Sequence, residues 1–139
     1  MSEAPPDSVG QLQTIEAEGD VVRVRDLVRA HAQQTRLTAT EQVKVVTAAS
    51  ELAFNTLLHG RGGQVAVQII RAGPRRGVRM IFTDAGPGIP DLEQAFTDGY
   101  SSRGSMGLGL PGARRLMSDF VVVTSGTGTV VTATKWESR

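Results

Sequence analysis

The sequence of 139 residues contains no cysteine, which excludes a disulfide framework, a thiolate metal site and a cysteine nucleophile. Its longest uninterrupted apolar run, Phe120–Val123, is far shorter than the ~20 residues that a membrane-spanning helix needs. The amino-terminal residues are polar and acidic, without the basic start and apolar stretch of a secretory signal. We therefore expect a soluble cytoplasmic protein that has no membrane partner.

Aromatic residues are also scarce, at 4%, and the formal net charge is only +1. This balance gives little attraction to nucleic acid, and no basic and aromatic residues interleave as in a base-stacking surface. We expect no nucleic-acid partner. One basic cluster, Arg71, Arg75, Arg76 and Arg79, surrounds a predicted turn. Two interpretations of this cluster remain open: a solvated hairpin tip and a partner site.

Glycine is the unusual component, because only Gly10 and Gly19 of the 16 glycines precede residue 60. The second half of the chain therefore needs backbone freedom. The length accommodates one domain. We expect residues 1–10 to be a disordered leader and residues 11–139 to be a single domain.

Hydrophobic periodicity predicts alternating helices and strands. A weak strand over 11–17 precedes a helix that Asp20 caps and that runs to about Gln34. A stronger helix runs from Thr40 to about His59. The remaining predicted elements are strands over 65–69 and 78–83, helices over 92–96 and 109–118, and strands over 120–124 and 129–135. This order predicts a two-layer α/β (α+β) sandwich, with helices on one face of a mixed, mostly antiparallel sheet.

The second helix carries a polar stripe, since Thr47, Glu51, Asn55 and His59 are each four residues apart and share one face. Alone, such a stripe is typical of the solvent side of an amphipathic helix.

Two later segments indicate a ligand. Asp84 ends a strand and opens the loop Asp84–Ile89, where an acid can accept from an exocyclic amine and glycines admit a planar ring; a surface Pro-Gly turn is the alternative. The segment Gly99–Leu110 brings glycines to a helix start, an arrangement suited to phosphates. The GxGxxG match at 107–112 does not follow a strand, and the chain has no P-loop. Both familiar nucleotide folds are thereby excluded.

Four motifs occur in order: Glu51-x-x-x-Asn55, Asp84-x-Gly86-x-Gly88, Gly104-x-x-Gly107-x-Gly109, and Gly128-Thr129. Together they resemble the nucleotide-binding boxes of the GHKL (Bergerat-fold) ATPase/kinase superfamily. Four phrases look most like the small stand-alone RsbT-type serine/threonine kinases: SELAFN at 50–55, DGYSS at 98–102, GLGLPGARRLM at 107–117 and TKW at 134–136.

The resemblance implies ATP and Mg²⁺ as cofactors. It implies that Asn55 holds Mg²⁺, that Glu51 is the catalytic base, and that Asp84 and Thr129 contact adenine. The other implied nucleotide contacts are Gly86, Gly88 and Ile89 in the adenine loop, Gly104, Gly107 and Gly109 with the backbone N–H of Leu108 and Leu110 in a phosphate lid, and Arg103 on a phosphate. His59 is expected to be structural or to support the residues that contact the nucleotide.

The resemblance also implies a function, namely transfer of the ATP γ-phosphate to a serine or threonine of a STAS-domain antagonist protein in a bacterial partner-switching system. Activation of a PP2C-type phosphatase is a further implied role. An anti-sigma factor of the same fold, which acts by sequestering a sigma factor, is the main alternative. The catalytic domain of a histidine kinase is a weaker one, because the chain has only two histidines and no phosphoacceptor histidine box.

Overall fold

The computed structural model describes residues 10–96 and 109–138. All the predicted elements are present, with bounds that differ by a few residues. They are β1 (Gln11–Ile15), α1 (Glu18–Ala32), α2 (Ala39–Leu58), β2 (Gly63–Ala72), β3 (Arg75–Asp84), α3 (Leu92–Ala95), α4 (Leu110–Leu116), β4 (Asp119–Ser125) and β5 (Gly128–Trp136). Nearly all of the predicted leader lies outside the described residues, and its disorder stays a prediction.

The five strands form one sheet in the order β1-β2-β3-β5-β4. Each of the four strand pairs in the described part of the chain is antiparallel. The predicted fold class, helices over a largely antiparallel sheet, is therefore confirmed. The central strand β3 ends at Asp84, which pairs in register with Thr129 of β5. This register puts two predicted site residues side by side.

One face of the sheet and the apolar sides of the helices form the core. Val65, Val67, Met80 and Phe82 alternate along β2 and β3 and are fully or almost fully buried. The helix α2 meets them with small side chains, Ala48, Ala49 and Ala53, together with Leu52, all of which are buried. Small residues let a helix backbone lie close to the sheet, so the polar groups on neighbouring turns of α2 come close to the strand ends.

The start of α1 differs from the prediction. The helix begins at Glu18 rather than after Asp20. The Asp20 carboxylate, in the first turn, accepts hydrogen bonds from the backbone N–H of Glu16 at 2.9 Å and of Ala17 at 3.1 Å. Asp20 therefore stabilises the helix start from the third helical position instead of the cap itself.

The start of α2 also lies earlier than predicted. Thr38, not Thr40, is the cap: its Oγ1 accepts from the backbone N–H of Glu41 at 3.1 Å. The Glu41 carboxylate in turn accepts from the backbone N–H of Thr38 at 2.8 Å. This reciprocal pair is a capping box, which the sequence spells as Thr followed three residues later by Glu.

The arginine cluster at the β2–β3 turn has partners within the fold. Arg75 stacks over the ring of Trp136, with its guanidinium carbon 5.3 Å from the ring centroid. The Nε atom of Arg79 donates to Thr134 Oγ1 at 3.1 Å. These contacts lie within the fold, so they favour the interpretation of the cluster as a hairpin tip over its interpretation as a partner site.

Glu137 joins three separate segments at this end of the molecule. Although only 5% exposed, its carboxylate accepts from the backbone N–H of Arg36 at 2.6 Å and of Arg76 at 2.9 Å. The Arg76 guanidinium lies 3.6 Å away. Burial raises the pKa of Glu137, but these donors outweigh it, so the pKa lies below its usual value.

We also find no helix among the described residues that is long and apolar enough to cross a membrane.

Replacing Glu137 by glutamine should lower the free energy of unfolding at neutral pH by about 1–3 kcal/mol, because it removes a buried charge that accepts two backbone hydrogen bonds. The folded pKa lies below the unfolded value, so the contribution of this carboxylate is present above about pH 4.3. It is lost as the pH falls through the folded pKa. Urea unfolding at neutral and acidic pH measures this difference.

The matched control is Glu16→Gln, at an exposed glutamate, which should leave stability unchanged. A Glu137→Gln deficit that persists undiminished in acid would contradict the role of the carboxylate charge.

Candidate active site

The polar stripe of α2 is not uniformly exposed. Thr47 and His59, at its two ends, are exposed, whereas Glu51 is half-buried and Asn55 is only 7% exposed. The stripe is therefore not simply the solvent-exposed face of the helix, because its two central residues are partly or almost fully buried. A buried polar side chain in a helix needs a partner.

The side-chain oxygen of Asn55 has no such partner in the described part of the protein. Its Oδ1 atom is buried and is the one side-chain nitrogen or oxygen among residues 10–96 and 109–138 that is buried without a hydrogen bond. Leaving such an acceptor unpaired costs about 1–3 kcal/mol. The side chain also borders a cleft. An unpaired amide oxygen at a cleft wall is suited to a hard cation or a hydrogen-bond donor on a ligand.

Asp84 lies on the other side of the same cleft, close to the end of α2. A Cβ atom added to Gly60, just past the helix, would be 2.5 Å from Asp84 Oδ2. The other carboxylate oxygen, Oδ1, accepts from the backbone N–H of Gly86 at 2.9 Å. The loop that follows β3 thus fixes the carboxylate against the helix end.

The two predicted adenine-loop glycines are needed for contacts within the protein. An added Cβ at Gly86 would be 2.8 Å from the carbonyl oxygen of Gly60. Gly88 has a φ of 82°, and an added Cβ there would collide with the carbonyl oxygen of Ser125. These glycines hold the loop against α2 and against the β4–β5 turn. Their predicted contact with a base stays a prediction.

A hydroxyl pair completes this wall. The Oγ1 atoms of Thr124 and Thr129 are 2.8 Å apart, and Thr124 Oγ1 also accepts from the backbone N–H of Ile89 at 2.9 Å. Thr129 is buried. Thr124 therefore links the adenine loop to β5. Sequence reasoning did not select Thr124, because a threonine near a hairpin turn gives no distinctive signal.

Five of the ligand contacts predicted from sequence line one cleft. The residues that line it are Asn55, His59, Gly60, Asp84, Gly88, Ile89 and Thr129. His59 and Gly60 were not predicted ligand contacts; the sequence indicated Gly60 only as a helix stop. Two larger grooves of the described surface lie elsewhere, and neither is lined by an unpaired buried polar group.

Glu51 is positioned by the start of α4. Gly109 has a φ of 69°, and an added Cβ there would lie 2.7 Å from Glu51 Oε1. The next residue, Leu110, is fully buried. Its side chain anchors α4 in the core, so only its backbone can contact a ligand. The other predicted lid residues, Arg103, Gly104, Gly107 and Leu108, lie outside the described residues.

The chain is similar to known proteins. Residues 15–135 match the histidine kinase-like ATPase domain family. The chain is 38% identical over 123 residues to the serine/threonine-protein kinase RsbT of Bacillus subtilis (strain 168), covering 88% of this chain and 92% of RsbT. It is 31% identical over 119 residues to the anti-sigma F factor of Thermoanaerobacter sp. (strain X514), covering 81% and 82% of the two chains.

A solved structure supports the fold. The crystal structure of the RsbU and RsbW domains of a Mycobacterium tuberculosis protein superimposes with a TM-score of 0.65 at 20% identity. The match covers 92% of this chain, which spans 32% of the length of that structure.

The chain belongs to the histidine kinase-like ATPase family. Within it, the predicted assignment to the RsbT-type serine/threonine protein kinases, which are enzymes that use ATP, is confirmed by these relationships.

Gly88→Ala should lower the free energy of unfolding by at least about 2 kcal/mol, since the new methyl group would both strain the backbone and collide with the Ser125 carbonyl. Thermal or urea unfolding measures the loss. Gly126→Ala is the matched control in the neighbouring turn, where an added Cβ meets nothing within 4 Å. Equal stability of the two variants would show that the loop is not held by this contact.

Proposed function

We propose that this kinase transfers the γ-phosphoryl group of ATP to a serine or threonine of a STAS-domain antagonist protein in a bacterial partner-switching system. The observation that carries the proposal is the buried, unpaired Oδ1 of Asn55 at the wall of a cleft that Asp84 and Thr129 also line. Asn55 shares this cleft with Asp84, the predicted base-recognition acid, and lies one helical turn after Glu51, the predicted general base.

Asp84 is suited to recognise adenine. Its carboxylate is fixed at the end of β3 by the Gly86 N–H, and a carboxylate accepts from an exocyclic amine. The 6-amino group of adenine is such a donor, whereas guanine presents an acceptor at that position. Thr129 lies beside Asp84 in the β3–β5 register and can offer a hydroxyl to the same ring. Asp84 and Thr129 would thus select ATP over GTP.

Asn55 fits the magnesium ion that the family implies. Magnesium prefers oxygen ligands and takes few from the protein when phosphates and waters supply the rest. The orphaned Oδ1 of Asn55 is one such ligand, and the absence of a hydrogen-bond partner leaves it available. When bound, the ion neutralises phosphate charge during the transfer.

We infer that Glu51 accepts the proton of the attacking hydroxyl. It lies one helical turn before Asn55, about 6 Å along the axis of α2. Its carboxylate packs beside Gly109, at the described end of the predicted lid. Phosphoryl transfer depends mainly on positioning and charge neutralisation, so one acid that orients the acceptor hydroxyl suffices.

Further partners and location follow from the same proposal. The RsbT likeness supports binding and activation of a PP2C-type phosphatase and a place in the cytoplasm.

The anti-sigma alternative is supported by the 31% identity to the anti-sigma F factor, against 38% to RsbT. A sigma subunit that co-precipitates with this chain would favour that alternative.

The proposed function is tested by incubating the protein and its Glu51→Gln variant with γ-labelled ATP and a candidate STAS protein. The wild type should label one serine or threonine. Glu51→Gln should bind ATP with unchanged affinity but lose at least about 100-fold in the rate of transfer, because glutamine cannot accept the proton.

Glu16→Gln, the same substitution at an exposed glutamate outside the cleft, is the matched control. Its transfer rate should equal that of the wild type. Full transfer by Glu51→Gln would remove Glu51 from the role of base, and no labelling of any STAS candidate by the wild type would contradict the proposed acceptor.

A further inference from the structure

A second groove lies between the two long helices, away from the nucleotide cleft. It encloses about 350 Å³, and its walls are the exposed part of α1 and the first turns of α2. Arg25 and Arg29 line it from α1, and Val43, Val46 and Thr47 line it from α2. We call this surface the α1–α2 groove.

The α1–α2 groove combines an apolar strip with positive charge. Val43 is 65% exposed, and Val46, one turn further on, is half-buried. The two arginines are one turn apart on α1 and so form a positive edge beside that strip. Its other lining residues within the described chain are Gln33, Ala39 and Gln42, so none of the residues that line it is acidic.

One of these arginines has an acidic neighbour on its own helix. Arg29 Nη1 lies 3.1 Å from Asp26 Oδ1, but the two side chains are 44% and 68% exposed. An exposed pair of this kind contributes little to stability. A carboxylate from an incoming partner can therefore compete for Arg29.

The groove is continuous with the candidate active site along α2. Val43, Thr47 and Glu51 are four residues apart from one another and lie on one side of the helix. The distance from Val43 to Glu51 is about 12 Å along the helix axis. A segment bound in the groove therefore needs only about four extended residues to bring a hydroxyl to Glu51.

We propose that the α1–α2 groove docks an acidic, amphipathic segment of the protein that accepts the phosphoryl group. Its apolar side chains lie on Val43 and Val46, and its carboxylates face Arg25 and Arg29. This inference rests on the proposed kinase function and adds to it how the acceptor is recognised. Docking outside the nucleotide cleft supplies binding energy that holds the acceptor hydroxyl near Glu51.

The probe for the groove is a fluorescein-labelled helical peptide with leucines at every fourth position and glutamates on either side of them. Fluorescence anisotropy with the full chain should show binding that weakens as salt is added. The same peptide with lysines in place of the glutamates should not bind. Val43→Asp should weaken binding of the acidic peptide by about tenfold, and Arg25→Gln combined with Arg29→Gln by about fivefold.

Two controls match these changes. Val121→Asp introduces the same charge at a valine that is 55% exposed on β4. Arg23→Gln removes an exposed arginine from the opposite side of α1, where Arg23 lies near Asp20. Both should bind the peptide as the wild type does.

With the STAS acceptor of the transfer assay, Val43→Asp should raise KM for the protein substrate and leave kcat and ATP affinity unchanged.

Three results would overturn the inference: equal peptide binding by Val43→Asp and the wild type, equal binding of the lysine peptide, or self-association of the wild type that Val43→Asp abolishes. The last would assign the groove to a second copy of the chain. Failure of the wild type to bind ATP or to transfer phosphate would instead contradict the proposed function, whichever peptide result is obtained.

Discussion

The close approach of the loop after β3 to the end of α2 is the contact on which the site depends. Asp84 lies against Gly60, where any side chain would overlap its carboxylate, and Gly86 lies against the carbonyl of the same residue. Because both sides of this contact are glycine, the two backbones can meet. The carboxylate of Asp84 and the amide of Asn55 consequently border one cleft.

The packing at the end of α2 has a cost in stability. The same packing that buries Asn55 leaves its Oδ1 without a hydrogen bond, and folded proteins rarely retain a buried acceptor in that condition. The other buried polar side chains among residues 10–96 and 109–138 have hydrogen-bond partners. Glu137 accepts from two backbone donors and an arginine, and the Thr124 and Thr129 hydroxyls pair with each other. The exception at Asn55 supports the proposal that a ligand pairs with its Oδ1, which would recover the free energy that the unpaired oxygen costs.

The sequence was sufficient for much of the fold and for choosing several residues that the structure brings to one cleft. The spacing of four placed Glu51 and Asn55 on one face of α2, and the strand end placed Asp84 beside a glycine loop. The sequence was insufficient to predict which residues of the stripe are buried. Asn55 and His59 belong to the same stripe, yet Asn55 is buried and His59 is exposed, and a spacing of four residues does not distinguish them. The helix starts were misplaced by about two residues: the capping box of Thr38 and Glu41 is readable in the sequence but was not used, and Asp20 acts from the third helical position instead of the cap.

The glycines show a similar division. Their crowding in the second half of the chain indicated a need for backbone freedom, and the interpretation given was close approach of a nucleotide. In the described residues the immediate reason is protein contact: Gly88 against Ser125, and Gly109 against Glu51. A single sequence could not distinguish these causes, because the partners of each glycine are distant in the chain.

The most direct test of the central claim is calorimetric titration of the wild type and Asn55→Ala with ATP, each with Mg²⁺ and each with a chelator. If the orphaned Oδ1 is a metal ligand, Asn55→Ala should lose affinity for magnesium-bound ATP by at least about tenfold while binding metal-free ATP as the wild type does. Equal losses under both conditions would contradict the assignment of Asn55 as the magnesium ligand.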